Sequence, residues 1–176
     1  MQLSRLLSAV LALGIASPAT AQTFGPPITG ICLLSRAGAI SASRAGQSMQ
    51  AQLKQMQTRL NGELAQRRSV LDQQRRQLES RQNATAPIEY QRQLTALNQQ
   101  VQALEQQQNG RFIAAQTWGQ QQIERVLNDA LARVVTRAAC SLVLERDHSY
   151  GWNNAMDITG AVTREVDIQL PGITLP

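Results

Sequence analysis

Two apolar stripes on either side of Ala86 constrain the fold of this chain more than any other sequence feature. Between residues 43 and 81 there is no proline, and helix-forming residues dominate. Apolar residues recur there by steps of three, four and seven, the seam of a coiled coil. They are Met49, Leu53, Met56, Leu60, Leu64, Leu71 and Leu78. A second stripe follows residues 83–87, a turn signal that ends in a proline suited to begin a helix.

Folding the chain back about Ala86 brings the second stripe onto the first. In such an antiparallel hairpin, facing residues have numbers that sum to about 172. That sum sets Leu60 against Phe112. It also sets the charged residues Arg67 and Glu105 opposite each other. The sequence therefore predicts a helical hairpin, and a single long coiled coil that pairs with another chain is the alternative.

A pair of glycines falls at one height of this hairpin, Gly62 opposite Gly110. Each glycine inside a helix costs roughly 0.5–1 kcal/mol relative to alanine. The pair therefore predicts a hinge at which the arm bends. The alternative is that both glycines allow the two helices to pack closely.

The two ends of the chain supply a small body with β-strands. Ile28–Leu34 and Cys140–Leu144 are rich in β-favouring residues, and a third short strand is expected near Tyr150–Asn153. Asp157 is placed to cap a closing helix, and the tail from Ile168 onwards is expected to be extended.

The predicted fold class is therefore α+β, mostly α: a small β-strand body with a long antiparallel helical hairpin as a coiled-coil arm. The body comprises residues 22–43 and 123–176, and the arm comprises residues 44–122 with its tip near residues 83–87. A body this small buries little surface by itself, so we expect it to assemble into an obligate oligomer.

Cys32 and Cys140 lie in the first two candidate strands. If these strands are neighbours, a disulfide between the two cysteines closes the whole arm as a loop, which an oxidising compartment permits. Two buried, inert thiols are the alternative, because strand register cannot be read from the sequence.

Residues 1–21 have the parts of a secretory signal peptide. Arg5 supplies the positive start, an apolar run follows, and residues 19–21 form an A-x-A cleavage site. The apolar run is shorter than the about 20 residues that a spanning helix needs. We therefore expect an exported, periplasmic protein, and a retained membrane anchor is the alternative.

The charge of the chain, +5 overall, is concentrated in the predicted arm. Between residues 44 and 111 there are ten basic and five acidic residues. Such a surplus attracts anionic partners, an anionic membrane surface included, or it merely keeps the arm soluble. Base-stacking aromatic residues are scarce in the arm and export opposes nucleic-acid binding, so we expect no nucleic acid as partner.

The sequence argues against catalysis and against a metal or cofactor site. It contains one histidine, His148, and no nucleophile elbow or glycine-rich phosphate loop. With only two cysteines beside that histidine, the familiar metal-ligand spacings are missing as well. We therefore expect a protein that is not an enzyme and that uses no cofactor.

The order of these elements resembles the Skp/OmpH family of periplasmic chaperones. The most specific patch is near the C-terminus, where Leu142–Glu145 and then Asp157–Thr159, with Val162 and Val166, are similar to the family's closing strand and helix start. Ile31–Leu34 is similar to the family's opening strand. The tail from Gln169 to Pro176 is an addition to the family's pattern.

This resemblance implies a homotrimer whose arms enclose a cavity, in which unfolded outer-membrane proteins are held without nucleotide. A basic cavity attracts acidic unfolded chains at long range. The candidate client-contact residues are Arg59, Arg67, Arg68, Arg75, Arg76, Arg81 and Arg92. For each arginine, simple solvation of the surface is the alternative. For the whole protein, the alternative is a structural coiled-coil envelope protein or adaptor with one fixed partner.

Overall fold

The two strands of the protein lie parallel, and the helical arm connects them. The computed structural model describes residues 25–176, so the predicted signal peptide lies outside the described residues. β1 (Ile31–Leu34) pairs with β2 (Leu142–Glu145), with Ile31 opposite Leu142. Parallel strands require a long crossover connection, usually helical. Here the crossover consists of α1 (Arg36–Ala42), α2 (Arg44–Ser80) and α3 (Pro87–Arg137).

α2 and α3 form an antiparallel hairpin, and the chain reverses direction between Ser80 and Pro87. The side chain of Ser43 caps α2 by accepting a hydrogen bond from the N–H of Gly46. At about 1.5 Å per residue, the 37 residues of α2 and the 51 residues of α3 give lengths of about 55 and 76 Å. The mostly α fold that the sequence predicts, with long helices and few strand residues, is confirmed.

Ion pairs that cross the hairpin report its register. Oε2 of Glu63 lies 3.2 Å from Nη1 of Arg111, and Arg68 pairs with Glu105. The expectation that Arg67 faces Glu105 is therefore wrong by one position. Successive residues of a helix point about 100° apart, so Arg67 lies on the other side of the apolar seam.

The glycines of the arm differ in their surroundings. Gly62 and Gly110 are exposed, and a Cβ atom at either position would have no atom within 4 Å. The interpretation that this pair allows close helix packing is therefore wrong, while the hinge stays a prediction. Close packing occurs instead at Gly119, where a Cβ would lie 2.8 Å from Sδ of Met49 and 2.9 Å from Cδ2 of Leu175.

The core of the body lies where the base of α3 meets the sheet and α4 (Thr159–Gln169). Its buried residues are Cys32, Leu34, Ala39, Leu127, Ala130, Val134, Ile158, Val162 and Val166. A disulfide joins Cys32 to Cys140, with their Cα atoms 5.8 Å apart, across a sequence separation of 108. The bond therefore links β1 to the segment that leads into β2 and closes the arm as a covalent loop.

α3 ends in a Schellman motif just before that disulfide. The N–H of Cys140 donates to the carbonyl of Val135 at 3.1 Å, and Ala139 has a φ of 52°. Glycine usually fills this left-handed position because it has no Cβ. An alanine there carries backbone strain that a glycine would relieve.

The expected third strand near residues 150–153 is wrong. Among the described residues this segment is an irregular loop between two short 3₁₀ turns, Arg146–His148 and Asn154–Met156. Oδ1 of Asn153 accepts a hydrogen bond from the N–H of Ala155 and so begins the second turn. Local side-chain bonding of this kind competes with strand pairing.

The closing helix begins close to its predicted start. Oδ1 of Asp157 accepts a hydrogen bond from the N–H of Thr159 at 2.8 Å, although Ile158 occupies the cap position. α4 continues to Gln169, so Ile168, expected in the extended tail, is helical. Within residues 25–176, no helix combines the length and the apolar character that crossing a membrane requires.

Candidate binding surface of the arm

The hairpin has two long sides, one on each side of its apolar seam. The first, which we call the groove face, contains an open groove of about 480 Å³ between α2 and α3. Its lining residues are Arg67, Val70, Leu71, Gln100, Ala103, Leu104 and Gln107. Val70 is 53% exposed although it is apolar. This groove therefore offers apolar contact area beside a single arginine.

The opposite side, which we call the polar face, contains a depression of similar size, about 470 Å³. It is lined by Arg68, Asp72, Arg75, Asn98, Val101, Gln102 and Glu105. Arg68 pairs with Glu105, and Nε of Arg75 lies 3.2 Å from Oε1 of Glu79. The polar face therefore has its arginine charges balanced by carboxylates of the same arm.

Ion pairing divides the seven candidate arginines into two groups, although all seven are exposed. Four pair with a carboxylate: Arg59 with Glu63, Arg68 with Glu105, Arg75 with Glu79 and Arg92 with Glu89. Within the described part of the chain, Arg67, Arg76 and Arg81 form no ion pair within 4.0 Å. Their positive charge is therefore the least compensated. Among these three, Arg67 lines the apolar groove.

The groove face continues along α2 towards the body. Residues 52, 56, 59, 63, 67 and 70 follow one another by steps of three or four, so they form one row on the helix. Near the body, this row borders a second cavity of about 300 Å³ that is also lined by Leu175 and Pro176. Sequence reasoning missed the C-terminal tail as a component of this surface, because contact across about 120 residues leaves no local signal.

The charged groups of the body hold its elements together. Oγ of Ser35 donates to Asp147, and this hydrogen bond, together with the nearby Arg146, lowers the pKa of the Asp147 carboxyl. Burial opposes ionisation of Asp157, but hydrogen bonds from Thr159 and Arg146 outweigh it and lower the pKa of Asp157. These contacts connect the end of β1, the end of β2 and the start of α4.

A second surface with exposed apolar side chains lies on the body. β2 presents Leu142 and Leu144, which are 49% and 44% exposed, and Tyr150 in the following loop is fully exposed. Among the described residues, the outer edge of β1 is bridged by Asp157, whereas the outer edge of β2 has no strand partner. Edges and apolar patches of this kind are ordinarily covered by another chain.

Residues 25–176 contain no cluster of three or more histidine, cysteine, aspartate or glutamate side chains that could hold a metal ion. The two surfaces present apolar area, amide groups and arginine charge.

Comparison with known proteins agrees with this architecture. The family model of OmpH-like outer membrane proteins matches residues 30–166, which is most of the chain. The chain belongs to this family. The OmpH-like match begins next to β1 and ends within α4, so it covers the sheet, the complete arm and the body core, and it stops before the tail.

A solved structure gives the same result for the fold. A crystal structure from Caulobacter crescentus CB15, described as an outer membrane chaperone that is OmpH-like, is 26% identical to this chain, with a TM-score of 0.73. The match covers 89% of this OmpH-like chain and 95% of the Caulobacter chain. No curated protein matches the chain significantly. Family membership supports a general chaperone role, and this is not a family of enzymes.

Proposed function

We propose that this OmpH-like protein is an ATP-independent periplasmic holdase. It binds unfolded outer-membrane β-barrel proteins between the arms of a homotrimer and so prevents their aggregation. The family match and the chaperone description of the Caulobacter structure support the general role. The observation that carries the finer proposal is the groove between α2 and α3, where the exposed apolar side chain of Val70 lies beside Arg67, an arginine without an ion pair among the described residues.

The groove face suits an unfolded barrel chain for two physical reasons. Unfolded transmembrane strands expose apolar side chains at alternate positions. Val70, which is 53% exposed, and the partly exposed Leu71 offer these side chains apolar area. Unlike the paired arginines of the polar face, Arg67 retains the charge needed to attract an acidic client over a Debye length of about 10 Å at 0.1 M salt.

Weak, distributed contact fits release without nucleotide hydrolysis. The groove between α2 and α3 is open to solvent rather than enclosed. Each contact therefore contributes little, and a client with a stable folded alternative dissociates as it folds. An adaptor with one fixed partner requires the opposite, a few fully buried contacts that dominate the affinity.

The body surface supports the proposed trimer. Leu142 and Leu144 are both exposed on β2, whose outer edge another chain can extend. Assembly through this surface would bring three arms together around a common axis. The Leu144→Asp variant is then expected to dissociate into protomers, because it places a charge in the interface.

The test combines native mass spectrometry with an aggregation assay on the mature chain. A urea-unfolded outer-membrane barrel protein is diluted into the chain, and the same protein already folded serves as control. We expect a trimer that takes up one unfolded client, suppresses light scattering and ignores the folded client. A chain of any oligomeric state that is indifferent to unfolded proteins would overturn the proposal and favour the fixed-partner alternative.

A matched pair of variants tests the groove face. Arg67→Gln and Arg75→Gln remove the same charge from exposed positions of α2, but Arg67 lines the groove while Arg75 lies on the polar face and pairs with Glu79. We expect Arg67→Gln to weaken client binding by about two- to fivefold at low salt, the value of roughly 0.5–1 kcal/mol for an exposed charge pair. Arg75→Gln should have little effect. Equal effects, or a larger loss for Arg75→Gln, would contradict the assignment of the face.

A further inference from the structure

The C-terminal tail of the chain lies against both helices of the hairpin at the root of the arm, which consists of residues 45–52 of α2 and residues 119–123 of α3. Ile173 is 8% exposed and is buried with Ala45, Met49 and Ile123. Leu175 is partly buried at the same cluster. The tail is thus docked on the arm over its last residues.

The backbone of the tail, rather than its side chains, makes the hydrogen bonds. Nε2 of Gln52 donates to the carbonyl of Ile173, and Oε1 of the same carboxamide accepts from the N–H of Leu175 at 3.0 Å. Oγ of Ser48 donates to the same carbonyl at 3.1 Å. The carboxamide of Gln52 therefore occupies the place that a neighbouring peptide group would have in a sheet. Such contacts recognise extended backbone of any sequence.

The side chains of the tail alternate as they do in a strand. Ile173 and Leu175 point into the arm root, whereas Thr174 between them and Pro176 after them are exposed. Two apolar side chains at positions i and i+2, on an extended backbone, are also the repeating feature of an unfolded barrel strand. The tail therefore has the pattern of a client segment.

Gly119 provides the space for the second of these side chains. A Cβ at this position would lie 2.9 Å from Cδ2 of Leu175 and 2.8 Å from Sδ of Met49. Because α3 carries no side chain here, Leu175 reaches close to the helix backbone. The space beside Gly119 is thus filled by two apolar side chains, Met49 of α2 and Leu175 of the tail.

Two observations connect this root site with the groove face. Gln52 lies on the same row of α2 as Arg67 and Val70, and the cavity lined by Leu175 and Pro176 opens along that row. The family match ends at residue 166, so the tail is an addition to the matched part of the chain.

We propose that the arm root is a binding site for an extended peptide with apolar side chains at i and i+2, which the C-terminal tail occupies until a client segment of the same pattern displaces it. The inference rests on the proposed holdase function and goes beyond it, because it assigns a peptide site to Gln52, Ser48 and Gly119. As a tethered occupant, the tail competes at high effective concentration and lowers the apparent affinity for clients.

Hydrogen exchange of the unaltered mature chain tests the displacement directly. Exchange of the peptide that spans Leu170–Pro176 is followed without client, with a urea-unfolded barrel protein, and with the same protein folded. We expect faster exchange of the tail only with the unfolded client, because the N–H of Leu175 then loses its bond to Gln52. Tail exchange that stays unchanged or slows while client is bound would overturn the inference.

The second measurement is the client affinity of variants in which the tail is removed or cannot dock, which we call the released variants. A chain that ends at Gln169, and an Ile173→Ser/Leu175→Ser variant, are both expected to bind unfolded client more tightly, by about tenfold if the tail is docked in nine of ten molecules. Thr174→Ala, which changes an exposed side chain of the same segment, is the matched control and should bind like the natural chain. The added peptide Leu-Pro-Gly-Ile-Thr-Leu-Pro should restore weaker binding to the truncated chain.

The outcomes separate the inference from the function on which it rests. Equal or weaker client binding by the released variants would overturn the tail inference and leave the holdase proposal intact. Failure of the natural chain and of every variant to take up client would contradict both. If the released variants do not fold, hydrogen exchange of the natural chain decides, since that measurement requires no substitution.

Discussion

Reduction of the Cys32–Cys140 disulfide should cost the protein a large part of its stability. The bond spans a sequence separation of 108. In the chain-entropy description, a loop of about 100 residues removes about 4.7 kcal/mol of unfolded-state entropy at 25 °C, and measured losses for native disulfides are roughly 2–5 kcal/mol. The lower part of that range applies if the long helices keep residual structure after unfolding, because the unfolded chain is then already constrained.

Urea unfolding followed by circular dichroism, at one fixed protein concentration, measures this loss. With an m-value of about 2 kcal/mol/M, a loss of 4 kcal/mol lowers the midpoint by about 2 M. Oxidised chain, reduced chain and Cys32→Ala/Cys140→Ala are compared. Midpoints of oxidised and reduced chain within about 0.3 M would refute the entropic reasoning. A loss seen only in the alanine variant would indicate a cavity at the buried Cys32 instead.

Three further perturbations follow from the structure. Ala139→Gly should raise stability by about 0.5–1 kcal/mol in urea unfolding, because it relieves a left-handed alanine; a lower midpoint would contradict this. Gly62→Ala/Gly110→Ala should add about 1–2 kcal/mol and slow hydrogen exchange around both positions, since each Cβ meets open space; unchanged exchange would refute the hinge. In the folded state, the pKa of Asp157 is lowered by the contacts with Thr159 and Arg146 that outweigh its burial, and the pKa of Glu165 on α4 is lowered by a hydrogen bond from Arg137. Their stabilisation is therefore present above the unfolded-chain values near 4 and is lost as pH falls through the lower folded values. Melting temperature should stay nearly constant down to about pH 5 and drop below pH 4; a drop beginning above pH 6 would point to other groups.

The sequence predicts the hairpin well because its information is local and repetitive. Each seam residue lies three, four or seven positions from the next, so the helix prediction rests on many residues and does not depend on any one of them. The register of the hairpin is harder to predict from the sequence. A shift of one residue turns the facing side chain by about 100° around the helix. The sequence predicts Arg67 as the partner of Glu105, whereas the structure has Arg68 in that place, an error of one residue. This error assigns each of the two arginines to the wrong face of the arm.

Short elements without periodicity are harder to predict. Tyr150–Asn153 has β-favouring residues, but the side chain of Asn153 bonds the backbone of Ala155, and the chain turns instead of pairing. A strand also needs a partner edge, and propensity does not supply one. The hairpin and the body thus represent two cases: in the first, local pattern decides the structure, and in the second, tertiary contact decides it.

The candidate site depends almost entirely on tertiary contact, and Gly119 illustrates why. In the sequence, Gly62, Gly110 and Gly119 look alike, since each is a glycine within a helix-forming run. The side chains of Met49 and Leu175 distinguish Gly119, and the contact with Leu175 joins residues 56 positions apart through a segment with no periodic signal. The contact between Leu175 and Gly119 also places the tail on one particular face of the arm. If the tail and a client use one site, the glycine that no local pattern distinguishes is the position where substitution should alter client affinity, although an added side chain there also meets Met49 of the hairpin seam. Gly119→Val should therefore release the tail and weaken client binding at the root, whereas Gly110→Val, with open space around it, should do neither.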